Sequence, residues 1–141
     1  MSGATANASF ASGVDEIADF NIKVYDPFNM VSTGAAWKAT VPVSGKWLVI
    51  AAAQWDAATG SNAIAEFDIH IDGGATLHRV CGYRYSSAVI SVNATINGSV
   101  IVDLLAGQYF DIQGLQTTAT DPLGITTDAS TTYIIIQYFG A

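Results

Sequence analysis

The sequence predicts an all-β protein built as two antiparallel sheets packed in a sandwich, and three observations carry that prediction. Roughly eight to ten short runs of β-branched and aromatic residues recur about every ten positions, separated by clusters of Gly, Pro, Asn, Asp and Ser. Ala65, Phe67, Ile69 and Ile71 alternate with Glu66, Asp68, His70 and Asp72, the period-2 pattern of a strand with one apolar face. No stretch sustains a helical period, since Val14, Ile17 and Phe20 amount to a single turn.

In chain order, residues 1–13 are small and polar apart from Phe10, a composition that cannot bury enough surface to order itself. Residues 1–20 therefore read as an amino-terminal arm ahead of a domain at 21–141. The arm is expected to be held by a neighbouring molecule, with Phe10, Val14, Ile17 and Phe20 as its docking side chains. Residues 21–25 form a first strand stopped by Asp26-Pro27, and 28–31 lead into a Ser-Thr-Gly turn.

Residues 37–53 then hold two strands in one run. Pro42 lacks the N–H that a central ladder needs and Gly45 suits a turn, so an approach strand ends at Pro42 and a long apolar strand begins at Lys46. Residues 56–62 read as a loop. The alternating strand follows, Asp72-Gly73-Gly74 turns it, and 76–85 return. A strand at 88–96 is expected to end at Asn97-Gly98, the strongest hairpin dipeptide in the chain, with another at 99–105 beyond it. Ala106-Gly107 turns into 108–115, and the Thr-rich stretch 116–132, with Asp121-Pro122 and Gly124, reads as a long loop at one end. The last strand, 132–139, is apolar on both faces, so it must be central and covered on both sides. In a two-sheet sandwich that second cover implies another chain.

Composition points the same way. Only 12% of the 141 residues are charged, against about 25% in an ordinary soluble domain. Mean hydropathy is +0.35, so part of the surface is expected to be hidden against other chains. The excess is not a membrane span: the longest apolar run, 47–53, falls far short of the ~20 residues required. Residues 1–12 hold no basic residue and no apolar block, unlike a secretory leader, so the Asn-x-Ser/Thr matches at Asn7, Asn93 and Asn97 carry little weight. A net charge of −7 with five Lys and Arg argues against a phosphate-backbone partner. Cys81, the single cysteine, reads as a small packed apolar group.

Candidate chemistry is sparse. Same-face strand neighbours lie ~6.6 to 6.8 Å apart, wide for ligands of one ion, so Glu66, Asp68, His70 and Asp72 read as a solvated or interface-facing row. Asp68, His70 and Asp72 are weak metal candidates, which only copies meeting at a symmetry axis would gather around Ca²⁺; no metal and no cofactor are expected. His70 and His78 sit in no nucleophile motif, and Asp103 and Asp111 flank the Gly107 turn as solvated carboxylates rather than an acid–base pair, so no enzyme is expected. Trp55, Tyr83, Arg84 and Tyr85 form a candidate ligand loop, while Trp37, Trp47 and Phe139 read as core or subunit contact.

The run Thr40-Val41-Pro42-Val43-Ser44-Gly45-Lys46-Trp47-Leu48-Val49 resembles the Pro-x-x-Gly-x-aromatic-x-apolar motif of the tumour-necrosis-factor-like family, which includes the globular head of complement component one q. The segment 98–112, a strand, an apolar-x-x-Gly turn at Leu104-Leu105-Ala106-Gly107 and a further strand, is similar to that family's later segment, and 133–139 take the place of its last strand. The resemblance spans residues ~22 to 139. It implies a jelly roll and a homotrimer about the last strand, with Tyr133, Ile135, Gln137 and Phe139 at the interface. Similar stalkless jelly rolls occur in bacteriophages. The expected role is thus a capsid decoration protein on the outer surface of the virion, with itself and the major capsid protein as partners. The alternative is a tail or head-fibre tip that binds host glycan through loops such as 116–132. Neither nucleic acid nor membrane is an expected partner.

Overall fold

The computed structural model describes residues 2–3, 9–20, 22–23, 25–57, 63–74, 76–85, 94–120, 122–126 and 131–141. Its strands are β1 (Ser2–Gly3), β2 (Ser9–Phe10), β3 (Glu16–Ile17), β4 (Ile22–Lys23), β5 (Val31–Ser32), β6 (Lys38–Thr40), β7 (Gly45–Trp55), β8 (Ala63–Ile71), β9 (Thr76–Tyr85), β10 (Ala94–Leu104), β11 (Tyr109–Gln116), β12 (Leu123–Gly124) and β13 (Tyr133–Gly140). One sheet runs β10-β7-β13-β1-β4 and the other β5-β6-β11-β8-β9, with β3 on β11 and a small β12-β2 pair; every pairing between these strands is antiparallel. This is the all-β two-sheet sandwich that the strand spacing predicts, in the jelly-roll form that the resemblance implies.

Alternation decides what lies between the sheets. Trp47, Val49, Ala51, Ala53 and Trp55 of β7 point inward, as do Ala65, Phe67 and Ile69 of β8 and Phe110 and Ile112 of β11. The centre is a chain of tilted rings: Phe10 lies 5.1 Å from Trp55, Trp55 5.6 Å from Phe67, and Phe20 5.5 Å from Trp37.

Three local expectations are corrected. Residues 14–20 make no helical turn; Glu16 and Ile17 pair with Gly114 and Gln113 instead. The described part of the arm is held by its own chain rather than by a neighbour. Ser9–Phe10 pairs with Leu123–Gly124, Gly13 N–H donates to Gln116 O at 2.7 Å, and the buried Gln116 Nε2 donates to Phe10 O at 3.0 Å. The same bonds reach the described part of the stretch read as a long loop at 116–132, where Gln116 Oε1 also accepts from Thr118 N–H and Ile125 is buried. A buried amide with every near partner satisfied fixes a segment better than an apolar contact of the same size.

The third correction concerns Asn97-Gly98. It is not a hairpin turn but the middle of β10, with Asn97 opposite Ala52 and Gly98 opposite Ala51. The glycine has a different purpose. A β-carbon there would fall on the backbone carbonyl oxygen of Val80 in β9, so Gly98 lets β10 and β9 approach backbone to backbone. Gly98→Ala is expected to cost about 2–3 kcal/mol by overpacking. The neighbouring outward-facing Asn97→Ala should stay within about 0.5 kcal/mol. Urea denaturation of the two variants checks this directly.

Candidate functional site

One candidate surface is the outer face of the five-stranded sheet. Register puts its residues in rows of three across β10, β7 and β13: Ser99–Ile50–Ile135 at the centre, Ile101–Leu48–Gln137 on one side and Asn97–Ala52–Tyr133 on the other. Ile101 is 48% exposed, and Phe139, at the register shift beyond Gln137, is 63% exposed. The one ion pair of these rows is Lys46 Nζ to Asp103 Oδ1, 2.9 Å apart at the rim where β7 begins. Between that rim and the Gln54–Thr95 hydrogen bond at the far end, no described side chain carries charge. An uncharged face of this kind, carrying Leu48, Ile50, Ile101 and Ile135, has the composition of an association surface.

The four residues expected at a subunit contact fall in this region: Tyr133, Ile135 and Gln137 on the face itself, Phe139 beside it. Sequence reasoning missed Leu48, Ile50 and Ile101. The signal was present, because the apolar run 47–53 has no polar alternate positions, as in the last strand.

The other sheet carries the acidic row, and its members Glu66 and Asp68 are not solvated. Glu66 and Asp68 are 2% and 3% exposed, lying beneath the Arg79 guanidinium, whose Nη2 donates to Glu66 Oε1 and whose Nε donates to Asp68 Oδ1 at 3.4 Å. Arg79 itself stays 59% exposed on its solvent side. Burial pushes both carboxyls above their ordinary range, and attraction to Arg79 only partly offsets it.

The metal candidates do not converge. His70 Nδ1 donates to Gly74 O at 3.0 Å, a carbonyl being able only to accept. Asp72 spends its oxygens on Tyr109 N–H at 3.1 Å and Gln108 Nε2 at 2.9 Å, tying one turn to the next. Among the described residues no group of three or more His, Cys, Asp or Glu is placed to hold a metal ion. Asp103 and Asp111 cannot act as a pair, because Asp103 faces out from one sheet and the buried Asp111 sits on the opposite side of the sandwich, accepting from Gln113 Nε2 at 2.8 Å. Burial raises the Cys81 thiol to about 12, which suits a packed apolar group.

Two more sets of residues need correcting. Phe10 and Phe20, expected to dock on a partner, are each 1% exposed in the chain's own core, whereas Val14 and Ile17 remain on the surface. Trp55, expected on a ligand loop, is fully buried between Phe10 and Phe67. Arg84 is exposed; the side chains of Tyr83 and Tyr85, like Asn7 and Asn93, lie outside the described residues.

After β4, Asp26 organises a bend that projects Tyr25 and Phe28 outward. Its Oδ1 accepts from Met30 N–H and its Oδ2 from Val31 N–H, both at 3.0 Å, and Lys23 Nζ stands 3.3 Å away. Burial alone would raise this carboxyl; the Val31 and Met30 amides and Lys23 outweigh it and hold the group below its ordinary 3.8. A depressed acid stabilises the fold above its unfolded value, and that contribution is lost as pH falls from 3.8 through the lower folded value. Asp26→Asn should cost about 1.5–3 kcal/mol at pH 7 and progressively less as pH falls below 3.8, read as the change in urea midpoint across that range.

No family model matches the chain, and no curated protein matches it. Solved structures do. The structure of Eiger TNF from S. frugiperda superposes with a TM-score of 0.71 at 15% identity, covering 99% of this chain and 89% of that one. Murine APRIL at pH 5.0 gives 0.66 at 12% identity over 96% and 93%. The globular domain of zebrafish complement 1qA protein gives 0.62 at 12% identity over 97% and 93%. At these identities the likeness establishes the fold, and the chain is a jelly roll of the tumour-necrosis-factor and complement one q type.

Proposed function

We propose that this protein is a non-enzymatic homotrimer that decorates a bacteriophage capsid, sitting on the outer surface of the virion. The observation that carries the proposal is the uncharged apolar face centred on Ile50 and Ile135, which a lone protomer leaves in water. Closing three copies about β13 removes that face from solvent. The structures of similar fold are Eiger TNF, murine APRIL and the globular domain of a complement 1qA protein, which supports a binding role. The exposed Val14 and Ile17, near the point where the amino-terminal segment meets β11, supply an apolar contact for the major capsid protein. Mechanistically this is cementing: a trimer that binds only the assembled shell stabilises it by mass action.

A second reading, a glycan-binding tip, is favoured by one observation. A shallow polar cleft of about 160 Å³ lies between Glu66, Arg79, Gly82 and Arg84, with guanidinium and carboxylate groups of the kind that bind sugar hydroxyls or acids. Quantitative mass spectrometry of purified virions separates the two. Decoration predicts a copy number that scales with the number of capsomers, and a tip predicts a few trimers per particle. Deleting residues 1–13 is not a clean test of docking, since Ser2–Gly3 and Ser9–Phe10 are strands of the fold itself. Val14→Ser with Ile17→Ser replaces it and should abolish capsid attachment without unfolding the protomer.

A further inference from the structure

The outer face of the β8–β9 hairpin carries Ile64, Glu66 and Asp68 from one strand and Arg84, Gly82 and Arg79 from the other. Arg79 and Gly82 are three residues apart, a spacing that puts strand side chains on opposite faces. A register shift changes that. Phe67 pairs with Cys81 and Asp68 with Arg79, so Val80 is the extra residue, and both Val80 and Cys81 turn into the core. The bulge re-aims the chain beyond it and brings Arg79 to the side of Gly82 and Arg84. Gly82, opposite Glu66, leaves the space between the two arginines open: a β-carbon there would stand 3.1 Å from Glu66 Cβ and 3.3 Å from Arg79 Cδ. The result is the cleft of about 160 Å³ lined by Ile64, Glu66, Arg79, Gly82 and Arg84.

We infer that this cleft binds one ring of a neutral carbohydrate, holding two neighbouring hydroxyls between Glu66 and Arg84; this rests on the glycan-binding role and specifies a neutral glycan. A cavity of ~150 Å³ takes a benzene ring, so this cleft seats a single six-membered ring. Its polar groups are complementary. Glu66 Oε1 accepts from Arg79, while Oε2 accepts from no described residue and lies 3.6 Å from the place a Gly82 β-carbon would take, so it faces the open space. Arg84 is exposed and makes no hydrogen bond or ion pair with a described residue, yet its charge reaches Glu66. A carboxylate only accepts, a guanidinium only donates and a hydroxyl does both, so hydroxyls on adjacent carbons satisfy the two groups at once. Ile64, half-buried and opposite Arg84, walls the apolar side of the ring. Charge decides between a neutral and an acidic sugar. Glu66 and Asp68 balance Arg79 and Arg84, and Asp15 adds a negative charge that bears on both carboxyls. A ligand carboxylate therefore meets no surplus of positive charge. The cleft lies on the sheet opposite the face centred on Ile50 and Ile135, so a trimer closed through that face leaves it open.

The probes are the methyl glycosides of glucose, galactose and mannose, each beside the methyl glycoside of its uronic acid, titrated into the full chain and followed by amide nuclear magnetic resonance. At least one neutral glycoside should shift the amides of Ile64, Glu66, Gly82 and Arg84 saturably, and bind about fivefold more tightly than its acid. Arg84→Ala should weaken that binding about tenfold and leave the urea midpoint unchanged, as befits an exposed side chain with no bonded partner among the described residues. Three results would overturn the inference: no saturable shift at these four residues with any neutral glycoside at hundred-millimolar concentration; equal or tighter binding of the acids, which would make this an anion site and leave the glycan-binding role standing; or binding untouched by Arg84→Ala, which would place the sugar elsewhere. The virion copy number is a separate measurement. A count that scales with capsomers removes the fibre tip and leaves the cleft, whereas a failed titration removes the cleft and leaves the count.

Discussion

Arg79→Ala is expected to lower the unfolding free energy by about 3 kcal/mol at pH 7, the largest single loss among the surface side chains. The reason is what lies beneath it. Glu66 and Asp68 are buried, and removing their shared cation leaves two uncompensated carboxylates in a poorly solvated place. The figure sits at the low end of the range for broken buried pairs because Arg79 is half exposed and its loss admits water. The pH dependence gives the mechanism away. Both carboxyls are raised by burial, so between their ordinary values of 4.5 and 3.8 and their higher folded values the native state holds more protons than the unfolded one. Stability from these groups therefore grows as pH falls through that window and is lost as pH rises through it. The variant should recover most of its deficit near pH 4.5. A deficit equal at pH 7 and pH 4.5 would mean that Arg79 acts by packing alone.

The second large effect concerns association. Ile50→Asp together with Ile135→Asp should turn the assembly into monomers. Two facing carboxylates per protomer would have to be buried at several kcal/mol per ion, so the association constant should fall by at least ~10³. Both side chains point away from the sandwich interior, so the far-ultraviolet circular dichroism of the protomer should be kept. An assembly that survives the pair would place the contact elsewhere.

Much of this fold was legible in the sequence because strands with one wet face announce themselves. β8 and β9 begin and end within a residue or so of where alternation and the Asp72-Gly73-Gly74 turn put them. The failures share a physical cause: the signals used were local and the deciding contacts were not. Asn97-Gly98 has the composition of a turn, but it was placed in mid-strand by the approach of Val80 from the other sheet, which nothing nearby in sequence reports. Phe10 and Phe20 looked like isolated anchors on a polar arm, yet they fill the core through contacts with Trp55, Trp37 and Phe67. The acidic row looked solvated because alternation gives the face and not the depth; burial came from Arg79, eleven residues from Asp68 and across a hairpin. The association face was half legible, through the doubly apolar last strand and the apolar run 47–53, and its β10 members emerged only from the register.

Sedimentation equilibrium of the wild-type chain at micromolar concentration tests the trimer most directly. The account predicts a single species of about 44 kDa, three times the 14.7 kDa chain. A stable monomer at that concentration would contradict it, because the Ile50–Ile135 face would then be a surface the protein keeps in water.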